Sequence, residues 1–178
     1  MSRRMSVSMT LDAVRDRTKT VTRRHVDSWQ HLAAGDRLTL IEKGMGLPKG
    51  AKQVVVCEVE IVDVCVETLR QVTAAEVIRE GLIRRAMNEG GSLAGAVPWF
   101  RFFWARGHGY SVNLPVDELL AVPCRRIEWR YLDDPCPECR NQFGGKMPGH
   151  VYGSGWDWVP CQTCFGAGLI ERAPVVPS

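Results

Sequence analysis

The segment TKTVTRR (Thr18–Arg24) places three hydroxyl groups and three cations within seven consecutive residues. Its β-branched residues favour an extended or turn conformation over a helix. A segment of this kind is either a solvated basic turn or a site that holds an anionic or carbonyl-bearing group. In a straight strand, Lys19 and Thr22 would point to opposite faces. A site shared by these two side chains therefore requires a turn, which we predict for residues 19–22.

The positive charge of the chain is concentrated around this segment. The 178 residues are 45% hydrophobic and 24% charged, with a net charge of +3, which is typical of a folded soluble protein with one main core and a small appendage. Residues 1–25 hold seven Lys or Arg and two Asp, a balance of 7 − 2 = +5. This cluster favours an anionic partner. A solvated basic face would give the same count.

The chain lacks the sequence signals of membrane insertion and secretion. No apolar run approaches the roughly 20 residues of a membrane span, and no apolar stretch follows the first arginines as in a signal peptide. Seven cysteines without a secretory signal indicate a reducing compartment. We therefore expect a cytoplasmic protein with no membrane partner. Cys57 and Cys65 lie in strand-like runs, where we expect buried small apolar side chains.

The order of hydrophobic and turn signals predicts an α+β domain. We expect a short helix at Met9–Arg17, a strand at Arg37–Glu42, and a long strand with one wet face, or a bend, at Gln53–Val66. Thr73 and Glu76 have the spacing of a capping box that starts a helix through about Arg79. Glu80 then lies at or just beyond the last turn of that helix.

An aromatic helix and a final strand complete the predicted domain. Pro98 suits the first position of a helix, and the run WFRFFW (Trp99–Trp104) contains aromatic pairs at i, i+4 spacing. We expect a core helix rather than a base-stacking platform, because aromatic side chains readily supply core burial. His108 is expected to be a polar residue at the helix exit. A closing strand is predicted at Val122–Tyr131, with Arg125, Arg126 and Arg130 exposed.

Two C-x-x-C pairs follow this domain. CPEC (136–139) and CQTC (161–164) are separated by 21 residues. This spacing predicts a tetrahedral four-thiolate site for one structural Zn²⁺. A closed shell of four cysteines leaves no open position for a substrate. A redox dithiol or free thiols are the alternative. The predicted ligands are Cys136, Cys139, Cys161 and Cys164, with His150 as a substitute.

The cysteine module partly resembles a known zinc-binding unit. The second pair continues as CQTCFGAG, which resembles half of the C-x-x-C-x-G-x-G zinc module of DnaJ-type chaperones; a zinc ribbon or knuckle is expected. Trp156 and Trp158, between the pairs, either cover the metal or form a contact surface for a protein partner. These features predict a main domain at residues 1–132, a four-cysteine module at 133–172 and a disordered tail at 173–178.

The main domain resembles the ASCH domain family. The resemblance rests on a helix followed by K-T-V-T-R-R, then G-D with a strand, a long strand, a helix ending in E-G-L, an aromatic helix with F-F-W, and a last strand. It covers about Ser6 to Tyr131. It implies the PUA-like fold, which is a small β-barrel with flanking helices.

The resemblance also implies an association with RNA or a nucleotide. One branch of the family hydrolyses the acyl amide of N4-acylated cytidines, and other members are ribonucleases or binding modules. By position in the motif, Lys19, Thr22 and Glu80 would be catalytic. Arg24 would be the signature arginine, and Thr20, Arg23 and Arg24 would bind the substrate.

The chemistry of these residues is compatible with such a site. A desolvated Lys19 could lose its proton and activate the Thr22 hydroxyl, and Glu80 could relay a proton to a leaving amine. Arg24 could hold a carbonyl, oxyanion or phosphate. Each residue also has a plain structural interpretation, as a turn hydroxyl, a surface ion pair or a helix end. The leading hypothesis is RNA or nucleotide binding. The alternatives are a nucleoside hydrolase or ribonuclease, and a protein-docking adaptor.

Overall fold

A curled five-stranded sheet, a half-barrel, organises the chain. The computed structural model describes residues 3–111, 113–135, 146–151, 155–160 and 169–171. The strands of the sheet are β1 (Arg3–Ser6), β2 (Val21–His25), β3 (Arg37–Ile41), β4 (Val55–Thr68) and β5 (Pro123–Tyr131). Their order is β1-β3-β4-β5-β2, and β1 pairs parallel with β3 while the other neighbours are antiparallel. The α+β class is confirmed.

The long strand β4 bends where its pairing with β5 shifts. The register changes between Ile61 and Asp63, which marks a β-bulge. Before the bulge, Val59 and Ile61 are buried and Glu58 is exposed, so the side chains alternate between the core and solvent. The sequence predicted a bend or a wet face in this run, and both are present. A bulge increases the local twist, which helps to curl the sheet.

Five α-helices lie among the described residues. They are α1 (Leu11–Arg15), α2 (Ala74–Arg79), α3 (Ile83–Gly90), α4 (Leu93–Gly107) and α5 (Val116–Ala121). Short 3-10 turns lie at Ser8–Thr10 and Leu69–Gln71. The predicted start of α2 is confirmed, because the Thr73 hydroxyl accepts a hydrogen bond from the Glu76 amide at 3.3 Å. The Glu76 carboxylate bonds to arginines instead of closing a capping box.

The aromatic helix α4 begins earlier than its sequence pattern suggested. The prediction that Pro98 is its first residue is wrong: Ser92 caps the helix through a 3.1 Å bond from the Gly95 amide, and Pro98 lies inside it. Gly95 also lies against the end of α3, where an added Cβ would come 2.1 Å from the Gly90 carbonyl oxygen. Glycine is therefore required where α4 meets the end of α3. The start of α4 is set by the Ser92 cap rather than by Pro98.

Two apolar clusters form the core. One lies between the sheet and α1, and it includes Met5, Val14, Leu40, Val59 and Trp129. The other lies under α2–α5, and it includes Leu69, Val77, Phe100, Trp104 and Cys124. Cys57 is buried as predicted, whereas Cys65 is only half-buried.

Beyond Tyr131 the structure describes four short strands. Strand β6 (Asp133–Pro135) pairs with β9 (Leu169–Glu171), and β7 (Lys146–Val151) pairs with β8 (Gly155–Pro160). The predicted ligands Cys136, Cys139, Cys161 and Cys164 and the predicted tail at 173–178 lie outside the described residues. Within the described ranges, His, Cys, Asp and Glu side chains form no metal-binding group of three or more. The zinc module and the domain boundaries remain predictions.

None of the helices that the structure describes combines the length and apolar character that a membrane crossing requires.

Candidate functional site

A cavity of about 350 Å³ opens between the two edge strands of the sheet. Ser6 at the end of β1 and Thr22 and Arg24 on β2 line its opposite sides. Helix α4 and the residue that follows α2 complete the wall. Arg24 bridges the two edges, since its Nη2 donates to the Ser6 carbonyl at 3.0 Å. The TKTVTRR segment therefore borders a ligand-sized opening in the half-barrel.

Lys19 lies at the base of this cavity. Its Nζ donates to the carbonyl oxygens of Val21 at 2.8 Å and Glu80 at 2.7 Å, and to Glu80 Oε2 at 3.0 Å. Only 3% of the residue is exposed. Burial lowers the pKa of Lys19, while the neighbouring Glu80 carboxylate acts to raise it. Nζ also lies 5.6 Å from the centre of the Trp129 ring.

The turn predicted for residues 19–22 is absent. The turn lies at Asp16 and Arg17 instead, where Arg17 has a φ of 59°, and residues 18–20 are irregular before β2 begins at Val21. The rule of alternating strand faces therefore does not apply to Lys19. Its backbone is tied down by a 3.0 Å bond from its amide to the Ala13 carbonyl and by the Tyr131 hydroxyl. The long side chain reaches the cavity that Thr22 also lines.

Glu80 reaches Lys19 because the chain turns sharply after α2. Glu80 is the C-terminal cap of α2, as predicted, and Gly81 follows with a φ of +73°. A Cβ on Gly81 would lie 2.5 Å from the Ala13 Cβ and 3.3 Å from the Lys19 Cβ. Glycine thus supplies both the left-handed conformation and the close approach. This contact brings the two halves of the site together.

The three residues predicted to be catalytic line the same cavity. Lys19, Thr22 and Glu80 are each no more than 5% exposed. In the described part of the chain, no group forms a hydrogen bond with the Thr22 hydroxyl. The structure thus places the Thr22 hydroxyl in the wall of the cavity that the buried Lys19–Glu80 pair also lines. Their chemical roles remain predictions.

Arg23 is enclosed by three carboxylates. Its Nε donates to Glu67 at 2.6 Å, its Nη2 to Glu76 at 2.6 Å and its Nη1 to Glu80 at 3.1 Å, and its side chain has no exposed surface. A guanidinium with all three nitrogens engaged has little capacity to bind a substrate. The geometry favours a positioning role for Arg23, since it holds one oxygen of Glu80 while Lys19 holds the other.

Thr20 supports the site from outside the cavity wall. Its hydroxyl accepts a 3.1 Å bond from Arg79 Nε, and its amide donates to the Arg79 carbonyl at 2.9 Å. These contacts tie the segment before β2 to the end of α2. They favour a structural role over the substrate contact expected from the motif.

The acidic partners of this network were not identified from the sequence. Glu76 binds Arg23, Arg79 and Arg126, and Arg126 also binds Glu128 at 2.6 Å. The prediction that Arg126 is exposed is wrong, because its side chain is 12% exposed and paired. The alternating charges on β4 and β5 were the only sequence signal of this network that we recognised. They did not show that the arginines pair with Glu76 on α2.

Arg24 differs from the other cations of the cavity. Lys19 is paired with Glu80, and Arg23 with three carboxylates. Among the described residues, Arg24 has no carboxylate partner within salt-bridge distance, and its buried Nε has no hydrogen-bond partner. Its guanidinium leaves a positive charge at the cavity wall without an acidic neighbour in contact.

Aromatic residues of α4 form the opposite wall. Phe100 and Trp104 are 1% and 5% exposed, which confirms the core-helix prediction for this pair. The indole N–H of Trp104 donates to the Arg23 carbonyl at 3.1 Å. Trp99 and Phe103 stack at 4.8 Å on a more exposed face. One face of the helix thus anchors the site, and the other contributes Phe103 and Gly107 to the cavity.

His108 belongs to the cavity wall, although the sequence suggested only a polar helix end. Its ring stacks on Trp104, with the ring centres 3.9 Å apart. Its Nδ1 lies 2.8 Å from the Trp104 carbonyl oxygen. Burial lowers the pKa of His108, an effect opposed by that carbonyl and reinforced by Arg24 and His25. Its position between glycines at the helix exit had suggested a polar end residue rather than part of a site.

A second cavity of about 420 Å³ adjoins the first. The two share Ser6, Ser8 and Met45 in their walls. Arg4 and Lys43 line the second cavity, and Lys43 is exposed. A ligand held in the first cavity could therefore extend along a basic surface.

Comparisons with known proteins place no function on this site. No family model matches the chain, and no curated protein matches it significantly. Among solved structures, the chain is similar to protein EF3133 from Enterococcus faecalis V583, described as family-model DUF984. The identity is 10% and the TM-score 0.44, over 74% of this chain and 81% of that one. At this level of similarity, the site has to be interpreted from its own geometry.

Proposed function

We propose that the chain binds a nucleotide, or a single nucleotide unit of an RNA, in the cavity between β1 and β2. The observation that carries this proposal is the position of Arg24, a cation with no acidic partner in the described structure, on the wall of an open cavity. The volume of about 350 Å³ lies in the range of small-molecule sites. It suits one nucleoside better than a continuous strand.

The adjoining basic cavity supports a phosphorylated ligand. Arg24, Arg4 and Lys43 lie along the two connected cavities. A base in the first cavity would leave its phosphate groups near these cations, which bind phosphate through charge and hydrogen bonds. The element order and the half-barrel agree with the PUA-like ASCH domain that the sequence resembles. We therefore propose that finer fold assignment together with the binding function.

Equilibrium binding tests this function. Isothermal titration calorimetry with cytidine 5′-monophosphate, cytidine and a short single-stranded RNA should show tighter binding of the phosphorylated ligands, weakening with salt. Arg24→Met should reduce nucleotide binding by about 10-fold or more, because a charged hydrogen bond contributes about 1.5–3 kcal/mol. Arg37→Met, at an exposed position on β3 outside the cavity, is the matched control. Equal binding by wild type and Arg24→Met would exclude Arg24 as the anion contact.

A hydrolase is the second candidate, favoured by one observation: Lys19, Thr22 and Glu80 line the same cavity. As an ammonium, Lys19 has no lone pair, and it donates hydrogen bonds to the Val21 carbonyl, the Glu80 carbonyl and Glu80 Oε2. Transfer of one proton from Nζ to Glu80 Oε2 would give Nζ a lone pair without adding net charge to the buried pair.

The neutral Lys19 could then accept the Thr22 proton as the hydroxyl oxygen attacks an acyl amide carbonyl. Arg24 would stabilise the oxyanion, and the proton on Glu80 would pass to the leaving amine as the C–N bond breaks. Water would then hydrolyse the acyl ester on Thr22, which releases the acid and restores the hydroxyl.

Product analysis separates hydrolysis from binding. The purified protein is incubated with N4-acetylcytidine and with short RNAs, and the products are followed by mass spectrometry. Release of cytidine and acetate would support the amidohydrolase, and shortened RNA would indicate a ribonuclease. Binding without any product would exclude hydrolysis for these substrates and leave the binding function in place.

A further inference from the structure

His108 lines the cavity, and its neutral ring carries one hydrogen-bond acceptor. Its Nδ1 lies 2.8 Å from the Trp104 carbonyl oxygen. A carbonyl oxygen can only accept, so this contact requires the proton on Nδ1. In the neutral ring, Nε2 therefore carries the lone pair. The backbone of α4 selects this tautomer.

The His108 ring is held in place by buried contacts. It stacks on Trp104 with an interplanar angle of 19°, and the Trp104 indole is fixed by its 3.1 Å bond to the Arg23 carbonyl. Arg23 is in turn bound by three carboxylates. The orientation of the imidazole thus depends on the same network that positions Lys19 and Glu80. A fixed acceptor discriminates between ligands better than a mobile one.

The acceptor nitrogen is available to a ligand. In the described residues, no group forms a hydrogen bond with Nε2, and His108 lines the cavity. The charged and titratable groups that act on the ring are Arg24 and His25 on β2 and Glu80 after α2. Burial and the two β2 side chains lower the pKa of His108, whereas the hydrogen bond to the Trp104 carbonyl and Glu80 act to raise it. The lowered pKa favours the neutral ring at neutral pH.

The charged side chains at the wall offer the ligand donors rather than free acceptors, whereas the hydroxyls of Ser6, Ser8, Thr10 and Thr22 can donate or accept. Lys19 and Arg24 can only donate, and both oxygens of Glu80 are already engaged. A ligand that places an amine N–H against Nε2 gains a hydrogen bond. A ligand carbonyl at that position would instead face the lone pair of Nε2, and neither acceptor would find a donor. The cavity would therefore reject such a ligand.

We propose that His108 is a specificity-determining residue whose Nε2 accepts a hydrogen bond from the ligand, so that the cavity selects amino-bearing bases over those with a carbonyl at the same position. This inference rests on the proposed nucleotide binding and extends it to the class of base. Cytosine, with an exocyclic amine, is the favoured pyrimidine, and uracil is the disfavoured one.

The test uses cytidine and uridine 5′-monophosphates as probes, with binding measured by calorimetry. Wild type should bind the cytidine nucleotide about 10-fold or more tightly than the uridine nucleotide, since a buried polar group without a matching partner weakens binding. His108→Phe keeps a ring on Trp104 and removes both nitrogens, so this preference should disappear. His31→Phe, at an exposed position outside the cavity, should retain it.

Acidification gives a second readout that needs no variant. As the pH falls through the lowered pKa of His108, Nε2 gains a proton and becomes a donor. Cytidine nucleotide binding should weaken and uridine nucleotide binding should strengthen over the same range. A nitrogen NMR titration of the histidine ring should show the Nδ1–H tautomer at neutral pH and place its titration in that range.

The outcomes separate this inference from the proposed function. Binding of both nucleotides with the same preference in wild type and His108→Phe overturns the role of His108 and leaves nucleotide binding intact. An Nε2–H tautomer at neutral pH overturns it as well. If wild type binds neither nucleotide, the proposed function and this inference both fall.

Discussion

Lys19 and Glu80 lie 61 positions apart in the sequence, yet the Lys19 ammonium donates to both the backbone carbonyl and the carboxylate of Glu80, at 2.7 and 3.0 Å. Each side chain is 4% exposed. Removing two charges from water is costly, and a buried pair is therefore weak support for a purely stabilising role. Buried titratable groups that line a cavity are instead typical of functional sites.

The two members of this pair should differ in their effect on stability. Glu80→Gln leaves both Lys19 and Arg23 without a carboxylate that they now contact, so we expect a loss of about 3–5 kcal/mol in the free energy of unfolding. Lys19→Met leaves Glu80 bound to Arg23, and we expect the free energy of unfolding to fall by about 1–3 kcal/mol. Urea unfolding followed by circular dichroism measures both. Equal losses, or a larger loss for Lys19→Met, would contradict the shared position of Glu80 in the network.

Thr22 offers a cleaner test of catalysis, because stability and activity can be separated there. Thr22→Val keeps the branched shape on strand β2 and removes a hydroxyl that has no hydrogen-bond partner in the described residues. The free energy of unfolding should change by less than about 1.5 kcal/mol, the upper end of the net contribution of a typical hydrogen bond. Turnover of N4-acetylcytidine should fall more than about 10³-fold if Thr22 is the nucleophile.

Thr22→Ser is the matched control for this change. It restores a hydroxyl at the same position and should recover most of any activity that the Val variant loses. If Thr22→Val hydrolyses the substrate as fast as wild type, Thr22 is not the nucleophile. The nucleotide-binding proposal would be unaffected.

Gly81 should be irreplaceable in the turn that joins Glu80 to Lys19. Gly81→Ala adds a Cβ 2.5 Å from Ala13 and forces a φ of +73° on a residue that disfavours it. We expect the free energy of unfolding to fall by about 2 kcal/mol or more. Nucleotide binding should weaken as well, because the contact that positions Glu80 is disturbed. Gly35→Ala has a similar φ of +87° and open space around its Cβ. It should show the backbone strain without the loss of binding.

The four-cysteine module predicts one bound zinc ion per chain. Protein purified without chelator should contain close to that amount by elemental analysis, and Cys136→Ser should lower it, because a tetrahedral site needs all four thiolates. Cys124→Ser, in the buried core, is the control that should retain the metal. Much less than one zinc per chain in wild type would exclude the assignment and favour free thiols or a redox dithiol.

The sequence predicted some elements of the site because their signals are local. The strand β3, the Thr73 cap and the position of Glu80 at the end of α2 follow from neighbouring residues. The turn at 19–22 was wrong because it assumed that Lys19 belongs to the strand. A residue before a strand does not follow the alternation of its faces.

Long-range partners could not be predicted in the same way. The carboxylates around Arg23 come from β4, α2 and the α2 cap, and only the curl of the sheet brings them together. His108 was underestimated for a similar reason, since its role depends on the stack with Trp104 and on β2 lying opposite. The pairing of charges across elements is a property of the fold rather than of any one segment.

Glu76 should make the stability of the protein sensitive to acid. Burial acts to raise the pKa of Glu76, but hydrogen bonds from Arg126 and Arg23 outweigh it and lower this pKa from 4.5 to about 2. The stabilisation by its charged form is complete above the unfolded value and is lost as the pH falls from about 4.5 towards about 2. The urea midpoint should therefore decline over this range. Glu76→Gln should lower the free energy of unfolding by about 1–3 kcal/mol at neutral pH and show a shallower decline in acid. Glu118→Gln, at an exposed position on α5, should follow wild type. An acid decline in Glu76→Gln that matches wild type would assign the sensitivity to other carboxylates.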